Sequence, residues 1–366
     1  MPIDAPTIQR RLVAWYRHNR RNLPWRPPPG SPPEARPDPY HVLVSEVMLQ
    51  QTRVETVIPY FHRFIAQLPT LADLAGCDEQ RILRLWQGLG YYRRARNLLK
   101  AAACINAEHG GVVPRKAADL RKIGGIGPYT AGAVSSIAYD EPEPILDGNV
   151  ARVLCRVDGL RGDPRSSSLQ RKLWGKAGAL VPSRGAGEFN SALMELGATV
   201  CTPRAPRCRA CPLRALCRAY AQNLQETIPS VRRSRALPLE SRWTFCIRRG
   251  SQWLLEQRPA TGRWAAMWQF PTVPADGQKP TETVVTRLLG VPVSNLRPLT
   301  TIRHCLTHRR YLFHVYICDA CNETMPPNRK WLSLRKLYRY PLPAVHTRIA
   351  GLLKAPPSSR CAMQTD

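Results

Sequence analysis

The sequence predicts two domains of different class, a mostly helical N-terminal domain and an α+β C-terminal domain. Up to about residue 221, apolar residues recur at helical spacing. Beyond residue 240 they form short runs rich in aromatic and branched side chains, as in strands. Between the two lies a stretch with Pro229, Pro238 and a run of arginines, typical of a linker. The predicted parts are a domain at 1–221, a linker at 222–240, a domain at 241–354 and a disordered tail at 355–366.

The composition indicates a nucleic-acid partner. The 366 residues include 54 Lys and Arg against 26 Asp and Glu, a net charge of +28, and such an excess favours a polyanion. No apolar run is long enough to cross a membrane and the N-terminus has no secretory pattern, so we predict a cytoplasmic protein without a membrane partner. In a reducing compartment the twelve cysteines are not expected to pair, and clustered ones indicate metal.

The elements follow in order. Residues 7–19 form an amphipathic pattern, a proline-rich surface loop covers 27–39, and a helix is predicted over 40–52. Further helical patterns continue to Gly197. In the second domain the predicted strands are 243–248, 253–257, 268–273 and 311–318, with a helix at 282–289.

A glycine-rich turn is the first candidate functional feature. Gly124, Gly125 and Gly127 separate two helical patterns, and exposed amides at the start of the following helix are an anion site. Twenty residues on, Asp147 interrupts an apolar run. The turn alone is equally consistent with glycines that simply join two packed helices and with Asp147 as an N-cap.

Glu46 is the second candidate, since it falls in the middle of an apolar helical run that ends at Gln50 and Gln51. A carboxyl held among apolar groups has a raised pKa, which suits a general acid. Spacing alone slightly favours the alternative, a polar helix face that Glu46 shares with Ser45.

Aromatic rings stand beside cations at residues 91–96, where Tyr91 and Tyr92 precede Arg93, Arg94 and Arg96. Stacking surfaces beside cations are typical of nucleic-acid contacts. A solvated basic face is the alternative.

Four cysteines close the first domain. Cys201, Cys208, Cys211 and Cys217 follow the spacing C-x6-C-x2-C-x5-C, and thiolates this close ligate zinc or an iron–sulfur cluster. The spacing lacks two C-x2-C knuckles, which favours [4Fe–4S]. Interspersed arginines add charge for phosphates.

Together these motifs resemble the MutY family of adenine DNA glycosylases, within the endonuclease III-like helix–hairpin–helix superfamily. The matching segments are Leu-Pro-Trp-Arg at 23–26, Ser-Glu-Val-Met-Leu-Gln-Gln-Thr at 45–52, Gly-Leu-Gly-Tyr-Tyr at 88–92, the glycine hairpin, Ile-Leu-Asp-Gly-Asn at 145–149 and the cysteine loop. Arg-Pro-Ala-Thr-Gly-Arg-Trp at 258–264 and Trp-Gln-Phe-Pro at 268–271 resemble the family's Nudix-like C-terminal domain. The resemblance implies a helix–hairpin–helix glycosylase domain with an iron–sulfur loop, plus an α+β Nudix-like domain.

The resemblance also implies a reaction, the excision of adenine mispaired with 8-oxoguanine or guanine in double-stranded DNA, which requires the base to leave the helix. Glu46 would protonate adenine N7 and later help to activate water. Asp147 would stabilise the oxocarbenium-like sugar, as an ionised carboxylate beside a positive helix end. Tyr129 and Asn149 would hold these carboxylates or the substrate.

The same likeness assigns DNA and lesion contacts. Trp25 and Arg26 would border the adenine pocket, and Gln50, Gln51 and Tyr92 would contact the region of 8-oxoguanine. Gly125 and Gly127 would bind the DNA backbone. Where the family reads the lesion with a Phe-Ser-His loop, this chain has Leu306, Thr307 and His308.

Two substitutions limit the expected chemistry. Relatives that also cleave the strand carry a lysine where this chain has Tyr129, so we expect base removal without lyase activity. The C-terminal domain lacks the acidic box of an active Nudix hydrolase, so we expect it to be a recognition module. We also expect the protein to be monomeric. The alternatives are an endonuclease III-type glycosylase/lyase on damaged pyrimidines and a non-catalytic DNA-binding module.

Overall fold

The computed structural model describes residues 4–28, 30–32, 35–230, 236–322 and 327–354. The chain forms two compact units, Met1–Cys77 with Arg93–Arg233, and Asp78–Tyr92 with Ser234–Asp366. The segment 78–92 thus packs with the C-terminal part, which the sequence pattern did not indicate. The predicted tail at 355–366 and the arginine run of the linker at 231–235 lie outside the described residues, and the predicted boundaries stay a prediction.

The first unit is helical, as predicted. Its helices are α1 (Ala5–Asn19), α2 (Pro39–Leu49), α3 (Val54–Gln67), α4 (Leu71–Ala75), α6 (Arg93–Glu108), α7 (Ala117–Leu120), α8 (Pro128–Tyr139), α9 (Gly148–Asp158), α10 (Ser167–Leu180), α11 (Ala186–Thr199) and α12 (Arg218–Ala221). One apolar core joins α1, α9, α10 and α11, and Leu12 and Phe189 are fully buried in it. Burial of such faces is the main force that stabilises the unit.

Local signals define the ends of α1 and α2. Asp4 caps α1, since its side chain accepts the Thr7 amide, and Asp38 caps α2 in the same way through the amides of Tyr40 and His41. Both helices have a proline in the first turn, where its missing N–H has no cost. The side chains of α2 are buried almost throughout, which makes it the central helix of the unit.

The C-terminal end of α2 is stabilised by a buried arginine. Arg94 donates to the carbonyl oxygens of Val47, Met48 and Gln50 at 3.0, 2.7 and 2.5 Å, and thereby satisfies acceptors that a helix end leaves open. The interpretation of Arg94 as a nucleic-acid contact is therefore wrong, because the side chain is buried against α2.

The second unit contains a mixed sheet with helices, the predicted α+β class. Its elements are α5 (Glu79–Leu85), β1 (Leu239–Arg249), β2 (Gln252–Gln257), β3 (Trp268–Gln269), β4 (Thr272–Pro274), α13 (Glu282–Leu289), β5 (Val293–Leu306), β6 (Arg309–Ala320), β7 (Arg329–Ser333) and α14 (Ala344–Lys354). The strand order is β3-β2-β1-β6-β5, while β4 pairs with β1 and β7 with β2. Strands β1 and β6 are parallel, and the other pairs are antiparallel.

Each face of this sheet covers its own apolar cluster. Side chains of β1, β2 and β6 alternate between a cluster shared with α14 and one shared with α13, as the two-residue period of a strand requires. The helix predicted over 282–289 is confirmed as α13. Strands β5 and β7 were not predicted. In β5 the register shifts twice near Pro298, so the alternation that marks a strand is broken.

None of the helices in the described parts of the chain combines the length and the apolar character that crossing a membrane requires.

Candidate active site

A cavity of about 480 Å³ opens in the first unit. Its walls come from the loop after α1, from α2 and the turn that follows it, from α8 and α11, and from the start of α9. Its lining includes Arg21, Leu23, Trp25, Arg26, Ser45, Glu46, Gln50, Gln51, Tyr129, Asp147, Asn149, Ser191, Met194 and Glu195. Most of the residues singled out in the first domain thus meet in one place.

Glu46 is buried on α2, with 5% of its surface exposed. The alternative that placed it on a polar helix face is therefore wrong. Burial raises the pKa of Glu46 to about 7, the neighbouring Asp147 raises it too, and the Tyr129 hydrogen bond and Arg26 oppose the shift. A carboxyl with this pKa holds a proton in a substantial fraction of molecules at neutral pH, so it can act as an acid there.

Tyr129 holds the carboxyl of Glu46 from the second residue of α8. Its hydroxyl donates to Glu46 Oε2 at 2.6 Å. Burial raises the pKa of Tyr129 well above its usual value, and the charge of Glu46 raises it further, so the phenol keeps its proton and stays a donor. This bond fixes one oxygen of Glu46 on the wall of the cavity.

Asp147 is the N-cap of α9. Its Oδ1 accepts the amide of Val150 at 2.7 Å, and its Oδ2 accepts the side-chain amide of Asn149 at 2.9 Å. The expected N-cap is present together with the expected place in the site, so the two interpretations do not exclude each other. Burial raises the pKa of Asp147, while these two bonds and Arg152 oppose the rise. The surroundings of Asp147 therefore do not favour its charged form alone.

Asn149 is fixed in turn by Arg152 and by close packing. The Arg152 guanidinium donates to Asn149 Oδ1 at 2.9 Å and to the Gly197 carbonyl at 2.8 Å. A Cβ at Gly197 would lie 2.7 Å from the Cβ of Asn149, so only glycine lets α11 approach α9 this closely. Asp147 therefore stands on a rigid support.

Two arginines from the loop after α1 pair with one buried glutamate on the cavity wall. Glu195 on α11 accepts from Arg21 at 2.6 Å and from Arg26 at 2.9 Å, with its carboxyl fully buried. Trp25 lies between these arginines in sequence and packs edge-on against Phe61 at 5.3 Å. Sequence reasoning missed Arg21 and Glu195. The available signal for Glu195 was the one used for Glu46, a carboxylate inside an apolar helical run.

The turn after α2 carries Gln50 and Gln51 into the cavity lining. Gln50 donates to the Thr130 hydroxyl at 3.3 Å, and Gln51 is exposed with a positive φ of 57°. Both residues are thus placed where a bound molecule can contact them.

The Tyr92 interpretation needs correction. In the second unit Tyr92 is 7% exposed and its hydroxyl accepts the amide of Gly88 at 3.3 Å, so it packs inside its own loop. The exposed residue is Tyr91, at 41%, with a positive φ of 48°. Its hydroxyl is hydrogen-bonded to the hydroxyl of Thr307. Adjacent tyrosines look alike in sequence, and only the fold shows which one is accessible.

Thr307 and His308 form the exposed two-residue turn between β5 and β6. Leu306, just before them, packs against the core of the second unit. The turn therefore exposes Thr307 and His308, while the Thr307 hydroxyl is bonded to Tyr91.

The glycine hairpin lies between α7 and α8, with Gly124, Gly125 and Gly127 exposed and Ile123 and Ile126 buried as anchors. Gly127 is the N-cap of α8. At Gly125 φ is +95°, and a Cβ there would lie 2.8 Å from the Cβ of Asn97. At Gly124 a Cβ would meet nothing within 4 Å.

We expect Gly125→Ala to lower the free energy of unfolding by about 1–2 kcal/mol, because the added Cβ needs a disfavoured φ and a shift of Asn97. Gly124→Ala is the matched control and should change stability by less than about 0.5 kcal/mol. Urea unfolding followed by circular dichroism measures both. Equal effects of the two variants would show that the turn does not need glycine at 125.

The four cysteines Cys201, Cys208, Cys211 and Cys217 line one small cavity beside α9 and α11, together with apolar side chains such as Val153 and Leu196. All four are free thiols. Arg156 on α9 donates to Cys201 Sγ at 3.3 Å and to the Thr202 carbonyl at 2.7 Å, which ties the loop to the helix that Asp147 caps. In the described parts of the chain, no three His, Cys, Asp or Glu residues are arranged to hold a single metal ion.

Comparison with known proteins gives the family. Residues 44–178 match the model of the HhH-GPD superfamily base excision DNA repair proteins, and residues 243–351 match a NUDIX domain. The adenine DNA glycosylase of Homo sapiens is 36% identical over 386 residues, which cover 89% of this chain and 70% of that protein. The chain belongs to the adenine DNA glycosylase family. The resemblance inferred from the motifs is thereby confirmed.

Further members of the adenine DNA glycosylase family are similarly close. The protein of Buchnera aphidicola (strain Sg) is 36% identical, with 71% of this chain and 73% of that protein covered. Among solved structures, a thermostable thymine-DNA glycosylase superposes with a TM-score of 0.51 at 27% identity, covering 60% of this chain and 97% of that one. One helical fold thus occurs in proteins named for different bases, so the fold alone does not identify the base.

Proposed function

We propose that this chain is a monofunctional glycosylase that hydrolyses the glycosidic bond of adenine opposite 8-oxoguanine or guanine in double-stranded DNA. The observation that carries the proposal is the placement of Glu46 and Asp147 on the wall of one cavity, each fixed by its own hydrogen bonds. Membership in the adenine DNA glycosylase family supports the choice of base.

The cavity has the size and lining for a flipped adenine. Its volume of about 480 Å³ falls in the range of small-molecule pockets. Trp25 and Tyr129 offer aromatic surface against which a purine packs. The Arg26 side chain, held by Glu195, adds a donor for ring nitrogens. Extruding adenine from the helix into such a pocket exposes its glycosidic bond.

Glu46 supplies the proton. In its protonated form the free oxygen of the carboxyl donates to adenine N7, so the base leaves as a neutral molecule. Tyr129 keeps the carboxyl in place and stabilises the carboxylate that remains. That carboxylate then accepts a proton from the water that attacks the sugar.

Asp147 stabilises the positive charge that develops on the sugar as the base departs. The amide of Val150 and the side chain of Asn149 hold its carboxylate in position before the reaction begins. Preorganised charge of this kind lowers the barrier without reorganisation during the step.

The residue types in the cavity support base removal without strand cleavage. Its described lining contains no lysine, and position 129 carries a phenol rather than an amine. An amine nucleophile that would form a Schiff base with the sugar is therefore not part of this wall.

The exposed Thr307 and His308 of the second unit are proposed to read the partner base, and Tyr91 is proposed to contact DNA beside them because its hydroxyl bonds to Thr307. The exposed amides at Gly125 and Gly127 are proposed to bind a backbone phosphate. Action as a monomer in the cytoplasm, on nucleoid DNA if the source is bacterial, stays a prediction.

The four cysteines are proposed to hold a [4Fe–4S] cluster. The donor set fits, since four thiols surround an apolar cavity and Arg156 offers a positive partner to Cys201. A single zinc ion would instead need the sulfurs to converge at about 2.3 Å from one point. When bound, such a cluster would crosslink the loop through its four thiolates.

Metal analysis of the purified chain tests this cofactor. We expect about four iron atoms and four sulfides per chain, with the broad visible absorption of a cluster. Cys211→Ser should lose the absorption, whereas Cys104→Ser on α6 should keep it. One zinc ion per chain in a colourless preparation would contradict the assignment.

A duplex panel tests the proposed function. Single-turnover assays with adenine opposite 8-oxoguanine, guanine or thymine should show free adenine from the first two, with strand breaks only after alkali. Breaks without alkali, or release of a damaged pyrimidine instead of adenine, would favour an endonuclease III-type activity. Duplex binding without release of any base would favour a non-catalytic module.

The Tyr129 hydroxyl has a testable effect on pH dependence. In Tyr129→Phe the carboxylate of Glu46 loses a stabilising donor, so the pKa of Glu46 rises above that of the wild type. The pH above which excision slows should therefore move upward. Tyr139 lies on the same helix, α8, and its hydroxyl donates to the Val113 carbonyl. Tyr139→Phe removes this hydroxyl and should leave the pH profile unchanged. A downward shift in Tyr129→Phe would contradict the role.

A further inference from the structure

Three arginines of the second unit surround a cavity of about 60 Å³ that the excision chemistry does not use. Arg242 lies on β1, and Arg258 and Arg263 lie in the loop that follows β2. The cavity wall also includes Trp264, Gln269 and Tyr311.

The positive charge at this cavity is only partly compensated. Arg242 pairs with Glu240 at 2.8 Å, and that carboxylate also pairs with Arg309. In the described part of the second unit, Arg258 and Arg263 form no ion pair. Burial lowers the pKa of Arg258, the nearby charge of Glu256 raises it, and the charges of Arg242 and Arg263 lower it further, so the three guanidiniums lie close enough to repel one another. Two of the three thus lack a direct counter-charge.

Neutral groups hold Arg258 in place. Its guanidinium donates to the side-chain oxygen of Gln269 at 3.0 Å and to the Arg263 carbonyl at 2.9 Å. Gln269 is 2% exposed, and its amide nitrogen donates to Glu256 at 2.8 Å, which orients the oxygen toward Arg258. The arginine is therefore fixed by neutral acceptors rather than by a direct ion pair, as in a preorganised anion site.

Aromatic rings lie beside these cations. The Tyr311 ring centre is 5.2 Å from Cζ of Arg263 and 6.0 Å from Cζ of Arg242. The Trp264 ring is 6.0 Å from Cζ of Arg258 and remains partly exposed. Guanidinium groups next to a stacking surface match a phosphate joined to a base.

We propose that this cavity binds the phosphate of a free nucleoside monophosphate, with the nucleoside at the rim against Trp264. The small volume suits a phosphate group rather than a whole nucleotide. Two guanidiniums without a direct ion pair match the nearly −2 charge of a phosphate monoester, whereas each DNA phosphodiester carries one charge. The inference goes beyond the excision reaction and does not depend on it.

Calorimetric titration of the full chain with deoxyguanosine monophosphate, in the presence of saturating duplex DNA, tests the proposal. We expect the wild-type chain to bind deoxyguanosine monophosphate. It should not bind guanosine, which lacks the phosphate. Arg263→Gln should weaken the binding at least about tenfold, because it removes a charged donor. Arg263 is exposed, so the variant should fold. Arg287→Gln on α13, also exposed, removes the same charge elsewhere and should change the affinity less than about twofold.

Three results would overturn the proposal. Absence of measurable nucleotide binding would show that the cavity takes no such ligand. Equal weakening by Arg263→Gln and Arg287→Gln would show attraction to net charge only. Nucleotide binding to the chain alone that disappears in the presence of saturating duplex would show that the arginines contact a DNA phosphodiester instead.

Discussion

Replacing Glu46 with glutamine should slow adenine release by about 10³-fold or more in single-turnover assays, since positioned general acids contribute up to about 10⁴-fold. Glutamine has nearly the same shape and still offers an oxygen to the Tyr129 hydroxyl, so the cavity keeps its form. It carries no proton of sufficient acidity for N7. Affinity for the mispaired duplex should survive, because the carboxyl contributes chemistry rather than attraction to phosphates.

Glu188→Gln is the matched control for this experiment. Glu188 lies on α11 in the same unit and pairs with Arg17 at the surface, outside the cavity lining. Exposed pairs contribute little to stability, so this variant should release adenine at the wild-type rate. If Glu46→Gln kept its excision activity, Glu46 would be excluded as the general acid and the cavity would have a different role.

Replacing Asp147 with asparagine should slow adenine release by about 10²–10³-fold, the usual effect of removing one electrostatic contributor from a transition state. Asparagine is also a good N-cap, so its side-chain oxygen can accept the Val150 amide and α9 keeps its first turn. The variant thus separates the charge of Asp147 from its structural role. We expect the free energy of unfolding, measured in urea, to change by less than about 1 kcal/mol.

Asp158→Asn provides the control on the same helix, where Asp158 pairs with Lys176 at the opposite end. It should leave the rate unchanged. If Asp147→Asn released adenine at the wild-type rate, stabilisation of the sugar by this carboxylate would be excluded and its N-cap role would remain.

Sequence patterns were sufficient for the two domain classes and for most of the cavity. Helical periodicity marks α1, α2 and α13, and both carboxylates stand out because an apolar run around a charged residue is unusual. Spacing could not decide whether Glu46 is solvated. The hydroxyl of Tyr129 and the burial of α2 decide it, and both depend on helices far apart in the sequence.

Residues whose environment comes from distant segments were beyond prediction. Arg94 resembles its exposed neighbours in sequence, yet it caps α2 because the start of α6 lies against that helix end. Glu195 gains its role only when the loop after α1 brings Arg21 and Arg26 to α11. The same limit applies to Tyr91 and Tyr92, whose exposure the backbone of their loop determines.

In the proposed reaction, a buried, protonated Glu46 drives the release of adenine from this cavity. The single-turnover rate of adenine release from an adenine:8-oxoguanine duplex, measured across pH with the wild-type chain, tests this role. The pKa of Glu46 is raised to about 7, so the reactive protonated form is present below that pH and is lost above it. We predict a rate that falls by about tenfold per pH unit above the pKa. A rate that stays constant from pH 6 to about pH 9 would contradict the claim.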